Sequence, residues 1–187
     1  MSRMLLVVAV SAVLAGPAVA EPITFIFTGE VTSVTGEMTA PFQDVQVNDP
    51  LELSYVFEST TPDTQLANPA IGSYGAISEL QVKIGEAQQS WTITPPLNVI
   101  TVLSDIDRYA ATAGSLPMTT SLVIDFASGT MQDDSLPSTL PWDEVTSTSF
   151  ALTAGGSVNA TVTTWTPEPS ALAVLALVSP FALRRRG

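Results

Sequence analysis

The chain has 187 residues and a formal net charge of −12, from eighteen acidic side chains against six lysines and arginines. It contains neither histidine nor cysteine, which excludes Ser-His-Asp and Cys-His catalytic machinery, disulfide staples and the usual zinc sites. Between residues 21 and 166 the only cations are Lys83 and Arg108, too few to neutralise a phosphate backbone, so nucleic acid and anionic lipid are excluded as partners of that stretch.

In chain order, Arg3 and the almost wholly apolar run Met4–Leu14 precede the helix-breaking Gly16-Pro17 and then Ala18-Val19-Ala20. A positive start, a short apolar core and small residues two apart are the parts of a secretory signal peptide. Residues 1–20 are therefore expected to be removed after Ala18 and Ala20 have guided cleavage, and the Sec-type export machinery is the first expected partner. An exported chain without cysteine must be held by packing alone. Residues 21–166 are long enough to bury a core of their own and are expected to form one domain.

The apolar period in that domain is two, the period of a strand. Ile23–Thr28 is rich in β-branched and aromatic residues; Gly29 interrupts it, and Val31–Thr35 continues. Leu51–Glu58 alternates, with Leu51, Leu53, Tyr55 and Phe57 on one face. Ile77, Leu80, Val82 and Ile84 mark the next segment, closed by Gly85. Trp91–Ile93 and Val99–Leu103 follow, separated by Pro95-Pro96, and then Leu122–Phe126 and Ser149–Thr153. The last segment is Val158–Trp165, with Val158, Ala160 and Val162 facing one way and Gly155-Gly156 as the hairpin turn before it. Ser59–Pro69 and Gln132–Asp143 are loaded with Pro, Asp, Ser and Thr and read as loops. No window shows an amphipathic helix. The pattern predicts an all-β domain, an antiparallel β-sandwich of jelly-roll type with about nine strands; nothing in it selects a closed barrel.

Chemistry in this domain is left to carboxylates and aromatic rings. Asp125 sits between Ile124 and Phe126, but alternation turns it to the opposite, solvent face, and a glycosidase needs a second carboxylate opposed to it. Asp105-Ile106-Asp107 and Asp133-Asp134 are loop carboxylates of the type that calcium takes, without the spacing of a twelve-residue calcium loop. Trp91, Trp142, Trp165, Tyr55, Tyr74 and Tyr109 would stack on sugar rings if exposed in a row; Trp142, in a Pro-rich loop, is the best exposed candidate. Asn159-Ala160-Thr161 fits a glycosylation sequon. No catalytic residue, metal ligand or cofactor site is predicted.

The C-terminal twenty-one residues have an order of their own: Pro167-Glu168-Pro169, the apolar run Ser170–Leu183, and Arg184-Arg185-Arg186-Gly187. Pro169 disfavours a helical Glu168, so the tripeptide is expected to be extended. Fourteen residues from Ser170 to Leu183 rise about 21 Å as a helix against a bilayer core of about 30 Å. That short membrane helix would span only with thinning of the bilayer, with the arginines held on the cytoplasmic side. Tripeptide, apolar run and arginine cluster together resemble the PEP-CTERM sorting signal of exported bacterial proteins.

The resemblance implies that an exosortase, a membrane-embedded cysteine transpeptidase, acts near the tripeptide. By that reading Pro167, Glu168 and Pro169 are the recognised residues and Arg184, Arg185 and Arg186 the cytoplasmic stop. The chain would pass through the inner membrane as an intermediate and end at the cell surface or in the extracellular polysaccharide of a Gram-negative bacterium. The segments Phe25–Val34, Leu51–Asp63, Gly72–Ile77 and Leu80–Gly85 are similar to the small β-rich cargo domains of such proteins. The expectation is a non-enzymatic surface or matrix protein; the alternative is a carbohydrate- or calcium-dependent binding module.

Overall fold

The computed structural model describes residues 22–93 and 97–168. Residues 1–20 with Ala18 and Ala20, Pro169, the Ser170–Leu183 run and Arg184, Arg185 and Arg186 lie outside them. Among the described residues no helix is long and apolar enough to cross a membrane.

The described chain is all-β. Its strands are β1 (Pro22–Thr35), β2 (Pro50–Glu58), β3 (Ile71–Tyr74), β4 (Ile77–Ile84), β5 (Ala87–Thr92), β6 (Asn98–Leu103), β7 (Arg108–Ser115), β8 (Met118–Phe126), β9 (Val145–Ala154) and β10 (Gly156–Glu168), with one 3₁₀ turn at Trp142–Glu144. They form one antiparallel sheet in the order β3-β6-β7-β8-β9-β10-β1-β2-β4-β5. The sheet curls, so that β4 lies beside β6 and β7 across the interior.

The expected count of about nine strands is corrected to ten. Gly29 does not interrupt β1, whose two expected segments are one strand of 14 residues. A Cβ at Gly29 would collide with the Thr161 carbonyl, so glycine here permits close approach of the neighbouring strand. Two further strands are invisible to the pattern. β7 reads Arg-Tyr-Ala-Ala-Thr-Ala-Gly-Ser, in which only Tyr109 and Thr112 have strand preference and three alanines and a glycine oppose it, and β3 is only four residues long.

Alternation then places the core as the sequence suggested. Leu51, Leu53, Tyr55 and Phe57 of β2 are buried, as are Val158, Ala160 and Val162 of β10. The spacing of Ile77 and Leu80, three apart yet both buried, comes from a bulge: Val56 pairs with Glu79 and Phe57 with Ile77, leaving Ser78 extra. Phe25 is the hub of the aromatic centre, with ring centroids 4.9 Å from Phe57, 5.4 Å from Trp165, 5.9 Å from Tyr55 and 6.1 Å from Phe27. Opposite, Ala111 and Ala113 of β7 make room for Leu53, Tyr55, Ile77 and Leu80. The Tyr55 and Tyr109 hydroxyls meet there at 2.5 Å and join β2 to β7 across the core. Burial pushes both phenols up from their ordinary pKa, and each supplies the partner the other needs away from water.

Candidate functional site: the β1–β10 seam and the groove beside it

β10 carries the first two residues of the Pro-Glu-Pro tripeptide, and its environment changes along its length. From Gly156 to Ala160 it pairs with β9 and from Ser157 onward with β1. At Val162 the β9 ladder is replaced by a side chain: Thr148 Oγ1 donates to the Val162 carbonyl (2.7 Å) and accepts from the Val162 N–H (3.0 Å). Thr163 is then an extra residue, since Gly29 pairs with Val162 and Thr28 with Thr164. Beyond it β10 is paired to β1 alone, through Phe27↔Trp165, Ile26↔Thr166, Phe25↔Pro167 and Thr24↔Glu168.

The seam is fastened by hydroxyls outside and by one indole inside. The Thr28 and Thr164 hydroxyls are 2.5 Å apart, and Thr163 Oγ1 donates to the Thr28 carbonyl at 3.3 Å. Trp165 stands edge-on to Phe25, and its Nε1–H is buried with no acceptor among the described residues. Thr166 and Pro167 are exposed. Pro167 has no N–H to give, which suits a position with one strand neighbour. Because Pro22 pairs with Glu58 and Thr24 with Glu168, the chain enters and leaves the sheet at the same end.

An open groove of about 1210 Å³ lies against the same seam, with Thr28, Gly29 and Thr163 in its lining. Its floor includes one register row, Thr28↔Glu52, Glu52↔Lys83 and Lys83↔Gln88, and the loop before β2 adds Asp44 and Asp49. Lys83 has no carboxylate within ion-pair distance among the described residues. The groove offers hydroxyls, carboxylates and one ammonium, and no aromatic ring.

The carboxylates singled out by sequence are not brought together. Asp125 is cross-strand from Arg108, accepting its Nε–H at 2.6 Å and the Ser147 hydroxyl at 2.8 Å. The Arg108 guanidinium holds its carboxyl below the usual range and is itself raised by the pairing. Asp107, buried and at φ 50°, accepts the N–H groups of Met131 (2.8 Å) and Gly129 (2.9 Å). Those bonds lower its pKa and tie the loop after β8 to the β6–β7 turn. Asp133 is lowered by its bonds to the Ser135 hydroxyl and N–H, while the Asp134 carbonyl accepts the Tyr74 hydroxyl at 2.6 Å. Among the described residues no three carboxylates are placed to hold a metal ion.

Sequence reading missed Asp63, which accepts the N–H groups of Ser73 and Gln65 at 2.8 Å each and is lowered by them. With Thr64 N–H donating to the Ser73 carbonyl, it covers the free edge of β3. An Asp ten residues before a Ser carries no pattern that could have announced it.

The aromatic row is also absent from the surface. Tyr55, Tyr74 and Tyr109 are buried and Trp91, Trp142 and Trp165 half-buried. Trp142 corrects the expectation of an exposed ring: the 3₁₀ turn folds it inward, 6.4 Å from Phe27. Asn159 is exposed and donates to Ser33 Oγ at 3.0 Å. The chain matches no family model, no curated protein and no solved structure.

Proposed function

We propose that this is an exported, non-enzymatic protein of the bacterial surface or extracellular matrix, sorted and processed by an exosortase through its C-terminal signal. The observation that carries the reading is the order at the C-terminus: Pro167-Glu168-Pro169, the apolar run Ser170–Leu183, then Arg184-Arg185-Arg186. With the Ala18-Val19-Ala20 site it implies Sec-type export, transient residence in the inner membrane and a destination beside extracellular polysaccharide. A cargo without histidine or cysteine, whose Asp125 is engaged by Arg108 and Ser147, fits a role in which the domain needs only to be stable and acidic.

The finer architecture in this reading is a jelly-roll-like sandwich with leaves β3-β6-β7-β8-β9 and β10-β1-β2-β4-β5, joined by the β9–β10 hairpin. Supporting it are the contact of β4 with β6 and β7, the Tyr55–Tyr109 bond and the end of β9–β10 pairing at Phe150↔Ala160. The groove over Thr28, Glu52 and Lys83 favours a second reading, a carbohydrate- or calcium-dependent binding module at the cell surface.

The test is the intact mass and cell fraction of the chain in a host that carries an exosortase. The mature protein is expected to lack residues 1–20 and the C-terminal segment. Replacing Pro167-Glu168-Pro169 by alanines, or deleting Arg184–Arg186, should leave the segment attached and the protein in the membrane fraction. Surface arrival of those variants at the parent's mass sinks the reading.

A further inference from the structure

The tripeptide is not a free linker: Pro167 and Glu168 are the last residues of β10, paired with Phe25 and Thr24. We infer that the β1–β10 seam gates processing, and that the segment Trp165–Glu168 must peel from β1 before an enzyme can take the Pro-Glu-Pro motif. This inference rests on the sorting reading above.

An enzyme that acts on a peptide bond takes the segment extended into its own cleft, with backbone groups and side chains free to be bound there. β10 at Pro167 has one edge committed to β1. Two residues earlier, the inward side chain Trp165 lies edge-on to Phe25, a residue with no solvent exposure. In that state the motif cannot be enclosed, and reaction proceeds from the locally opened form.

The construction of β10 makes such an opening local. β9 pairing ends at Ala160, the Thr148 side chain supplies the last rung on that side at Val162, and the extra residue Thr163 breaks the register immediately afterwards. Below that point a single ladder holds the strand, Pro167 contributes no N–H to it, and the buried Trp165 Nε1–H has no partner to lose among the described residues. Peeling from Glu168 back to Trp165 therefore leaves both the β9–β10 hairpin and the β1–β2 pairing in place. The gate also has a consequence for order of events. A domain that folds before the motif is taken slows its own processing, whereas a chain still assembling β10 offers the motif openly.

Because the protein contains no cysteine, the seam can be locked without side reactions. In the full chain, Ile26→Cys with Thr166→Cys joins cross-strand partners directly before the motif. Thr28→Cys with Thr164→Cys, where the hydroxyls already touch, locks the strand above it and leaves Trp165–Glu168 free. Each variant is expressed in the exosortase-bearing host, disulfide formation is checked by alkylation without reductant, and loss of the C-terminal segment is followed by mass during a chase.

The lock at residues 26 and 166 is expected to slow processing at least about tenfold. The matching single-cysteine variants and the lock at residues 28 and 164 should keep the parent's rate. Parent-like processing of the 26–166 lock overturns the gate while leaving the sorting reading intact. Equal slowing by both locks also overturns it, since a cross-link as such would then be responsible. A parent chain that never loses the segment removes the sorting reading and the gate together.

Discussion

The two halves of β10 are made of similar residues and held in different ways. The first half, through Val162, lies between β9 and β1, and its Val158, Ala160 and Val162 are buried. The second half, Thr163–Glu168, has β1 on one side only, with a half-buried tryptophan as its single inward anchor. The threonines of both halves have the same strand preference, so composition does not set the difference. The number of neighbouring strands does, and it makes one half part of the global fold and the other a candidate for local opening.

The largest expected effect breaks the first half. Leu152 of β9 pairs with Val158 and has no solvent exposure, so Leu152→Ala should cost about 2–5 kcal/mol of unfolding free energy through lost burial and the cavity left behind. Trp165→Ala, in the second half, loses part of the burial of a half-buried ring together with the edge-on contact with Phe25, the contact alone being worth about 0.5–1.5 kcal/mol, and should raise amide exchange selectively in Thr163–Glu168. Denaturant midpoints and hydrogen exchange measure both. Equal losses for the two variants would mean that the halves are one cooperative unit.

The intermediate effect concerns what keeps the curled sheet shut while part of it is held on one side. The Tyr55–Tyr109 bond links β2 to β7, which lie two strands to either side of the β9–β10 hairpin in the sheet order. Tyr109→Phe leaves the Tyr55 hydroxyl buried without a partner and should cost about 1–3 kcal/mol. Adding Tyr55→Phe should recover most of that loss, because no polar group is then orphaned. A double variant as unstable as the sum of two singles would show that the rings' fit, and not the hydroxyl pair, sets the energy.

Much of this frame was legible in the sequence because burial imposes a period of two. The inward faces of β2 and β10 and the hairpin at Gly155 follow from it directly. What escaped was whatever departs from that period or from strand preference. β7 is written in alanines because it faces Tyr55 and the large residues of β4, and a pattern search weights large apolar residues. The sequence alone puts Trp142 outside, because its neighbours Pro141, Asp143 and Glu144 are turn-forming or charged, yet one turn of 3₁₀ helix directs the indole onto Phe27. The extension of β10 into Pro167 and Glu168 was hidden by proline, which sequence reading takes as a strand's end and which a strand with one neighbour accepts. The long-range bonds of Asp63 and Asp107 leave no local signature at all.

The smallest expected effect uses those aspartates to sharpen the comparison from outside β10. Asp63 and Asp107 accept backbone N–H groups, Asp125 pairs with Arg108, and Asp133 closes a turn with Ser135; all four carboxyls lie below their ordinary pKa. A lowered folded pKa means the unfolded chain binds protons first. The stabilisation is therefore complete above the unfolded value of about 4 and is lost as pH falls through the folded values. Protection of the amides that donate to these carboxylates, Ser73, Gln65, Gly129, Met131 and Ser135, should decline first as pH falls below about 4. Thr163–Glu168 gives no N–H to any of the four, so its protection should stay level over that window. If acid loosened the end of β10 in step with the loops, the seam would owe its hold to the loop carboxylates, and the single ladder to β1 would not account for its behaviour.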